Sequence, residues 1–227
     1  MSDAPEMFDL LVRQRDLMKR ILAKLEPVVQ EEVGTYLFLH GWNIYEASKA
    51  TIILLNSQVP FTIPLLARSA LESAFYIGSV AKNPSLGREL TAREKSEMAR
   101  KTEHWIGRGI VHERHRSVPE ASKAKAPDGE LPKRPAQYFS TENIARLAGL
   151  TEFYEDEYRF LCLHVHGNQA GIFGSGDGIL VRKAAYALSH SLVIASGVLR
   201  TGSEFGDEIQ ACDQRLGEIR RAAIRSK

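Results

Sequence analysis

The stretch PLLARSALESAFYIGSV, within 63–81, most limits what this chain can become. It has the length of a helix but is apolar almost all the way round, so it belongs at the centre of other helices rather than on a surface. Its exceptions are Arg68, Ser69, Glu72 and Ser73. Arg68 and Glu72 are four apart and share a face where they can pair, and a charge on so apolar a helix needs a partner.

The flanking sequence supplies helices to surround it. From Pro5 to about 30, Phe8, Leu11, Val12, Met18, Ile21, Leu22 and Leu25 recur at three-and-four spacing. This predicts an amphipathic first helix over 5–30, a candidate for the periphery of the domain. A second helix is expected over 33–55, with Tyr36, Phe38, Trp42 and Tyr45 among small residues. Pro60 and Pro64 force a turn before the apolar helix. Thr91 with Glu94 three residues on reads as a capping box opening a helix to about His112. Residues 117–137 are polar and proline-rich without apolar period, and are expected to form a mobile loop. A short helix capped by Ser140 or Thr141, a helix over 151–164, a glycine-rich loop over 167–178, and helices over 179–201 and 205–225 complete the pattern. No segment alternates with period two for long. The expected class is all-α: one domain over 1–227, a bundle of six or seven helices.

Composition narrows function more than fold. Lys plus Arg number 30 and Asp plus Glu 28 in 227 residues, so net charge demands neither a nucleic-acid nor a membrane partner. Two cysteines, Cys162 and Cys212, cannot build a disulfide framework or a zinc knuckle. The first residues lack the apolar core of a signal peptide, and prolines and amides interrupt the longest apolar run. A cytoplasmic protein without a membrane partner is expected.

Four features could carry chemistry. GSGDG could cradle a phosphate, but it lacks the strand and the Gly-Lys-Ser/Thr that a nucleotide loop needs, so a connecting loop is the simpler reading. His104, His112 and His115 lie on a basic stretch without an HExxH arrangement, and no metal site is expected. Arg100, Lys101 and Arg108 in that stretch, with the basic residues of 215–225, are candidates for contacts to an RNA backbone. Cys162 and His166 have the spacing of a thiolate and its base, though Cys162 lies between leucines as a small core residue would.

The run RFLCLHVHG from Arg159 to Gly167 is the fourth. Arg159 and His166 would share a helix face two turns apart, whereas His164 is rotated from Arg159 by about 140°. Gly167 ends the helix, so both histidines sit in a last turn where exposed carbonyls favour imidazolium. An arginine on a phosphate and an imidazole that moves a proton suffice to cleave an RNA phosphodiester without metal or other cofactor. The alternative is structural: a C-capping histidine, and Arg159 paired to Glu72 or Glu155.

Arg159-x4-His164, or Arg159-x6-His166, fits the R-x4–6-H motif. Together the blocks LLARSALESAFYI (65–77) and YRFLCLHVHG (158–167) resemble a bacterial family of the HEPN (higher eukaryotes and prokaryotes nucleotide-binding) superfamily. The likeness spans 36–200 by order of helices and those two blocks by motif. It implies a HEPN-like bundle, commonly a homodimer in which arginines and histidines of both subunits meet in a cleft. It also implies a metal-independent endoribonuclease acting as a toxin or in phage defence, with an antitoxin or regulatory partner. By position Arg159 would bind phosphate, His164 or His166 would be catalytic, and Arg68, Glu72 and Tyr158 would line or brace the cleft. Phe160 departs from the polar residue frequent after the arginine in active members. Other members only bind, so a non-catalytic helical interaction module, or one that binds a nucleotide or RNA, is the second expectation.

Overall fold

The computed structural model describes residues 4–25, 32–57, 62–109, 134–165, 178–200 and 203–225, with only the backbone of Ala4, Glu32 and His164. Among these residues the chain is all-α. The helices are α1 (Ala4–Leu25), α2 (Glu32–Asn56), α3 (Ile63–Lys82), α4 (Pro84–Gly107) and α5 (Thr141–Ala148), the last preceded by a 3-10 turn at Ala136–Phe139. α6 is continuous but uneven: Thr151–Phe153, a π-helical Tyr154–Tyr158, then Arg159–Val165. α7 (Ile179–Leu199) and α8 (Gly206–Arg225) follow.

As its composition demands, α3 lies at the centre. It packs against α2, α7 and α5, and more lightly against α4 and α6. Ile63, Ala67, Ala70, Leu71, Ala74, Phe75 and Ile77 on it have no exposed surface. α1 is a core helix rather than a peripheral one. Leu11, Leu17, Met18, Ile21 and Leu22 are buried against α2, α7 and α8, and Ser189 of α7 donates to Gln14 Oε1 at 2.7 Å inside that contact. The approach of α1, α2 and α7 is close because Gly41 has no side chain. A Cβ there would stand 2.5 Å from Leu199 Cδ1 and 3.1 Å from Leu22 Cδ2.

Eight helices stand among the described residues where six or seven were expected. The short helix expected after Ser140 or Thr141 is among them as α5, with Ser140 as the cap: Ser140 Oγ accepts from Asn143 N–H at 3.3 Å, and Gly149 at φ 72° stops it. α4 also departs from expectation at both ends. It begins at Pro84, a residue suited to the first turn, immediately after Asn83 closes α3. Thr91 is therefore no cap but an interior residue whose hydroxyl donates back to the Gly87 carbonyl at 2.8 Å. The helix ends at Gly107, ahead of Gly109 at φ 69°, and so falls short of His112. Of the expected loop over 117–137 only 134–137 are described. There the Arg134 guanidinium forks onto Glu89 of α4 at 2.6 and 3.2 Å and lies over the Tyr138 ring. His112, His115, His166 and the glycine-rich loop up to residue 177 lie outside the described residues. Among those described, no helix is long and apolar enough to cross a membrane.

Candidate functional site

Arg68 and Glu72 form the expected pair on α3, with 3.9 Å between nitrogen and oxygen. The pair is also the hub of a larger network. Arg68 donates through one terminal nitrogen to Tyr158 Oη at 2.9 Å and through Nε to Cys162 Sγ at 3.2 Å. Its guanidinium stands 5.2 Å from the centre of the Tyr158 ring. Glu72 accepts from the Thr141 hydroxyl at 3.3 Å and from the Tyr158 hydroxyl at 3.4 Å. One charge pair thus ties α3 to α5 and α6. Burial pushes the Tyr158 phenol up to about 12, so it remains a donor at neutral pH. Cys162 serves this network as an acceptor at the edge of the core.

Arg159 is the next residue along α6 and belongs to a different environment. Its side chain is 63% exposed and pairs with Glu155 one turn back, at 2.7 Å. Of the two structural partners foreseen for it, Glu155 is the one it meets, and it stays outside the Arg68–Glu72–Tyr158 network. The π-helical Tyr154–Tyr158 segment sets this division. It turns Glu157 and Tyr158 both inward, stacks Tyr154 on Tyr158 at 5.3 Å, and delivers Arg159 to the surface. His164 lies on the following turns of α6, with its backbone alone described. Arg100, Lys101 and Arg108 are exposed on or just past the second half of α4. On α8, Arg215 is engaged by Glu6 and Glu218.

Two polar arrangements escaped the reading of the sequence. Inside the bundle, Glu157 Oε1 meets His190 Nδ1 of α7 at 3.1 Å, both side chains nearly buried and the imidazole edge-on to Phe153. The second is a groove of about 420 Å³ walled by Tyr36, Leu39, His40 and Asn43 of α2, Ser69, Glu72, Ser73 and Tyr76 of α3, and Glu94 of α4. His40 Nδ1 faces Ser73 Oγ at 3.1 Å, and its Nε2 is 4.0 Å from Glu94. The ring stacks on Tyr76 at 5.0 Å and receives Tyr36 edge-on at 4.5 Å. Burial lowers the His40 pKa to about 4, so the imidazole is neutral at pH 7. Both walls carried a signal in the sequence. Tyr36, His40 and Asn43 are spaced i, i+4, i+7, and Ser69, Glu72, Ser73 and Tyr76 are spaced i, i+3, i+4, i+7. Each is a polar stripe on an otherwise apolar helix. Among the described residues no three His, Cys, Asp or Glu side chains gather as a metal site.

No curated protein and no solved structure matches the chain. One family model does, over residues 35–177, a span that runs from the start of the groove through Arg159 and both candidate histidines. That span is more than half of the 227 residues, and the chain belongs to the family of unknown function DUF5677.

Proposed function

We propose that α6 carries a metal-independent endoribonuclease site of HEPN type, in which Arg159 binds the scissile phosphate and His164 or His166 moves the proton. The observation that carries this reading is the contrast between neighbours. Tyr158 is clamped by Arg68 and Glu72, while Arg159 beside it is 63% exposed and, among the described residues, is paired with the surface carboxylate of Glu155. Exposed i,i+4 pairs are weak, and an RNA phosphate can take the place of Glu155. Arg68, Glu72 and Tyr158 act as bracing that fixes where Arg159 emerges. In the step itself the imidazole removes the proton of a ribose 2′-hydroxyl, whose oxygen attacks phosphorus. The 5′-oxygen leaves with a proton, and a 2′,3′-cyclic phosphate remains. The arginine stabilises the charge gathering on the phosphoryl oxygens. Arg100, Lys101 and Arg108 offer exposed cations for the rest of the RNA backbone. The resemblance further implies a homodimer, a toxin or phage-defence role and a regulatory partner.

The test is incubation of the purified chain with total RNA in EDTA, beside Arg159→Ala, His164→Ala and His166→Ala. Cleavage to 2′,3′-cyclic phosphate ends is expected, with a loss of about 100-fold or more in Arg159→Ala and an unchanged urea midpoint. The histidine variant that loses activity identifies the base. Undiminished cleavage by Arg159→Ala, or cleavage abolished by EDTA, overturns the mechanism. RNA binding without cleavage would leave the non-catalytic module, in which the Arg68–Glu72–Thr141–Tyr158 network only ties helices together.

A further inference from the structure

The imidazole of His190 on α7 is held in place from one side and left open on the other. Its Nδ1 faces both oxygens of Glu157, at 3.1 and 3.3 Å. An ionised carboxylate only accepts, so Nδ1 carries the proton and Nε2 is the remaining polar atom of the ring. Phe153 packs edge-on to the ring at 4.6 Å and fixes its plane. Nε2 has no hydrogen-bond partner among the described residues, yet it is not shut off from solvent. The ring, with its side chain 11% exposed, lines a groove of about 530 Å³ between α7 and α8. A pair that served only to join helices has no need of a nitrogen aimed outward, whereas a carboxylate that orients one ring nitrogen is how an imidazole is prepared for a ligand on the other. The cations of the groove are independent of this pair. Arg220 and Arg221 of α8 line it, and neither meets a carboxylate within ion-pairing distance among the described residues. Of the two acids on the same walls, Glu218 is taken by Arg215 at 2.8 Å, which leaves Asp213. Arg221 folds back along its helix. Its guanidinium atoms stand 3.4–3.8 Å from where a Cβ on Gly217 would be, so the flat group lies along the groove wall. Arg220 also lines the neighbouring groove to which Glu157 contributes, and so marks the boundary between the two.

We propose that this groove binds the phosphate group of a small phosphorylated ligand, held by Arg220, Arg221 and His190 Nε2. Guanidinium groups match the oxygens of a phosphate in pairs. A phosphate also suits the imidazole in either protonation state. Its oxygens accept from the N–H of an imidazolium, and the hydroxyl of a monoprotonated phosphate donates to the neutral ring. An ionised carboxylate ligand can only accept, and so serves one state alone. Asp213 and Gln214 on the same walls accept from hydroxyl groups carried by the rest of the ligand, which points to a phosphorylated sugar. Two arginines and the lack of three gathered ligating side chains among the described residues argue against a metal ion. The volume suits a small molecule. Arg159 does not line the groove, so this inference does not depend on the ribonuclease reading.

The experiment follows the histidine ring resonances of the full chain, labelled with nitrogen-15, during titration with ribose 5-phosphate, inorganic phosphate, ribose and sodium acetate. The Nε2 signal of His190 should shift on adding ribose 5-phosphate. Affinity should fall about tenfold or more in the double variant Arg220→Gln/Arg221→Gln and be unchanged in Arg225→Gln. All of these residues are exposed, so both variants should keep the far-UV circular dichroism of the natural chain. Tighter binding of ribose 5-phosphate than of inorganic phosphate assigns Asp213 and Gln214 to the sugar hydroxyls, and equal binding assigns the groove to the phosphate group alone. The proposal fails if neither phosphate binds at about 10 mM, on the order of the weakest affinities worth assigning. It fails equally if ribose or acetate binds as well as the phosphates do, if the His190 signal stays in place while they bind, or if the double arginine variant binds undiminished.

Discussion

His40 is buried without its charge, and that makes it sensitive to acid. Its pKa falls from 6.5 to about 4 through burial, and Ser73, Glu94, Tyr36 and Tyr76 are the groups that face it. A folded-state pKa below the unfolded value means that the unfolded chain takes up a proton first as pH drops. The contribution of neutral His40 is therefore whole above about pH 7 and is lost between 6.5 and 4, amounting to at most about 3 kcal/mol. Glu94 works in the opposite sense, because its own pKa is raised. Urea unfolding at pH 7.5 and pH 4.5 should show a larger acid loss in the natural chain than in His40→Gln. Equal losses would show that His40 is not the group that titrates. Arg159 is the contrasting case. With its side chain largely in water, its removal should leave the unfolding midpoint unchanged, which makes any loss of ribonuclease activity attributable to chemistry.

Helices in this chain end and meet where small residues or prolines permit. Gly149 and Ser140 delimit α5, and Pro84 lets α4 begin one residue after α3 has closed. At Gly41, side chains of α1 and α7 come close to the backbone of α2. Replacing Gly41 with alanine gains about 0.5–1 kcal/mol of helix propensity. That gain is opposed by a methyl group 2.5 Å from Leu199 Cδ1 in a filled core, where overpacking costs about 1–3 kcal/mol. Gly41→Ala should therefore lower the thermal midpoint despite the better helix former, and a higher midpoint would mean that Leu199 has room to move. The π-helical segment of α6 works differently. No glycine or proline marks it. The wider turn brings Glu157 to His190 and Tyr158 to Arg68 and Glu72, contacts that an uninterrupted α-helix would rotate away.

The bundle is organised around α3, and α1 closes it. Because Leu11 and Met18 have no exposed surface, Leu11→Ala and Met18→Ala should each cost about 2–5 kcal/mol in urea unfolding. Values well under 1 kcal/mol would mean that α1 only rests on the domain. The helical class, the central place of α3 and most helix boundaries were legible in the sequence, because the 3.6-residue period and the breaking power of proline and glycine act within a few neighbours of each residue. The Arg68–Glu72 pair was legible for the same reason. What required the folded chain were the contacts that cross it: Arg68 to Cys162 over 94 residues, His40 to Ser73 over 33, and Glu157 to His190 over 33. A polar stripe on one helix says that something polar must face it. Which stripe does so depends on how helices pair and rotate once the apolar faces are buried, and no local pattern encodes that.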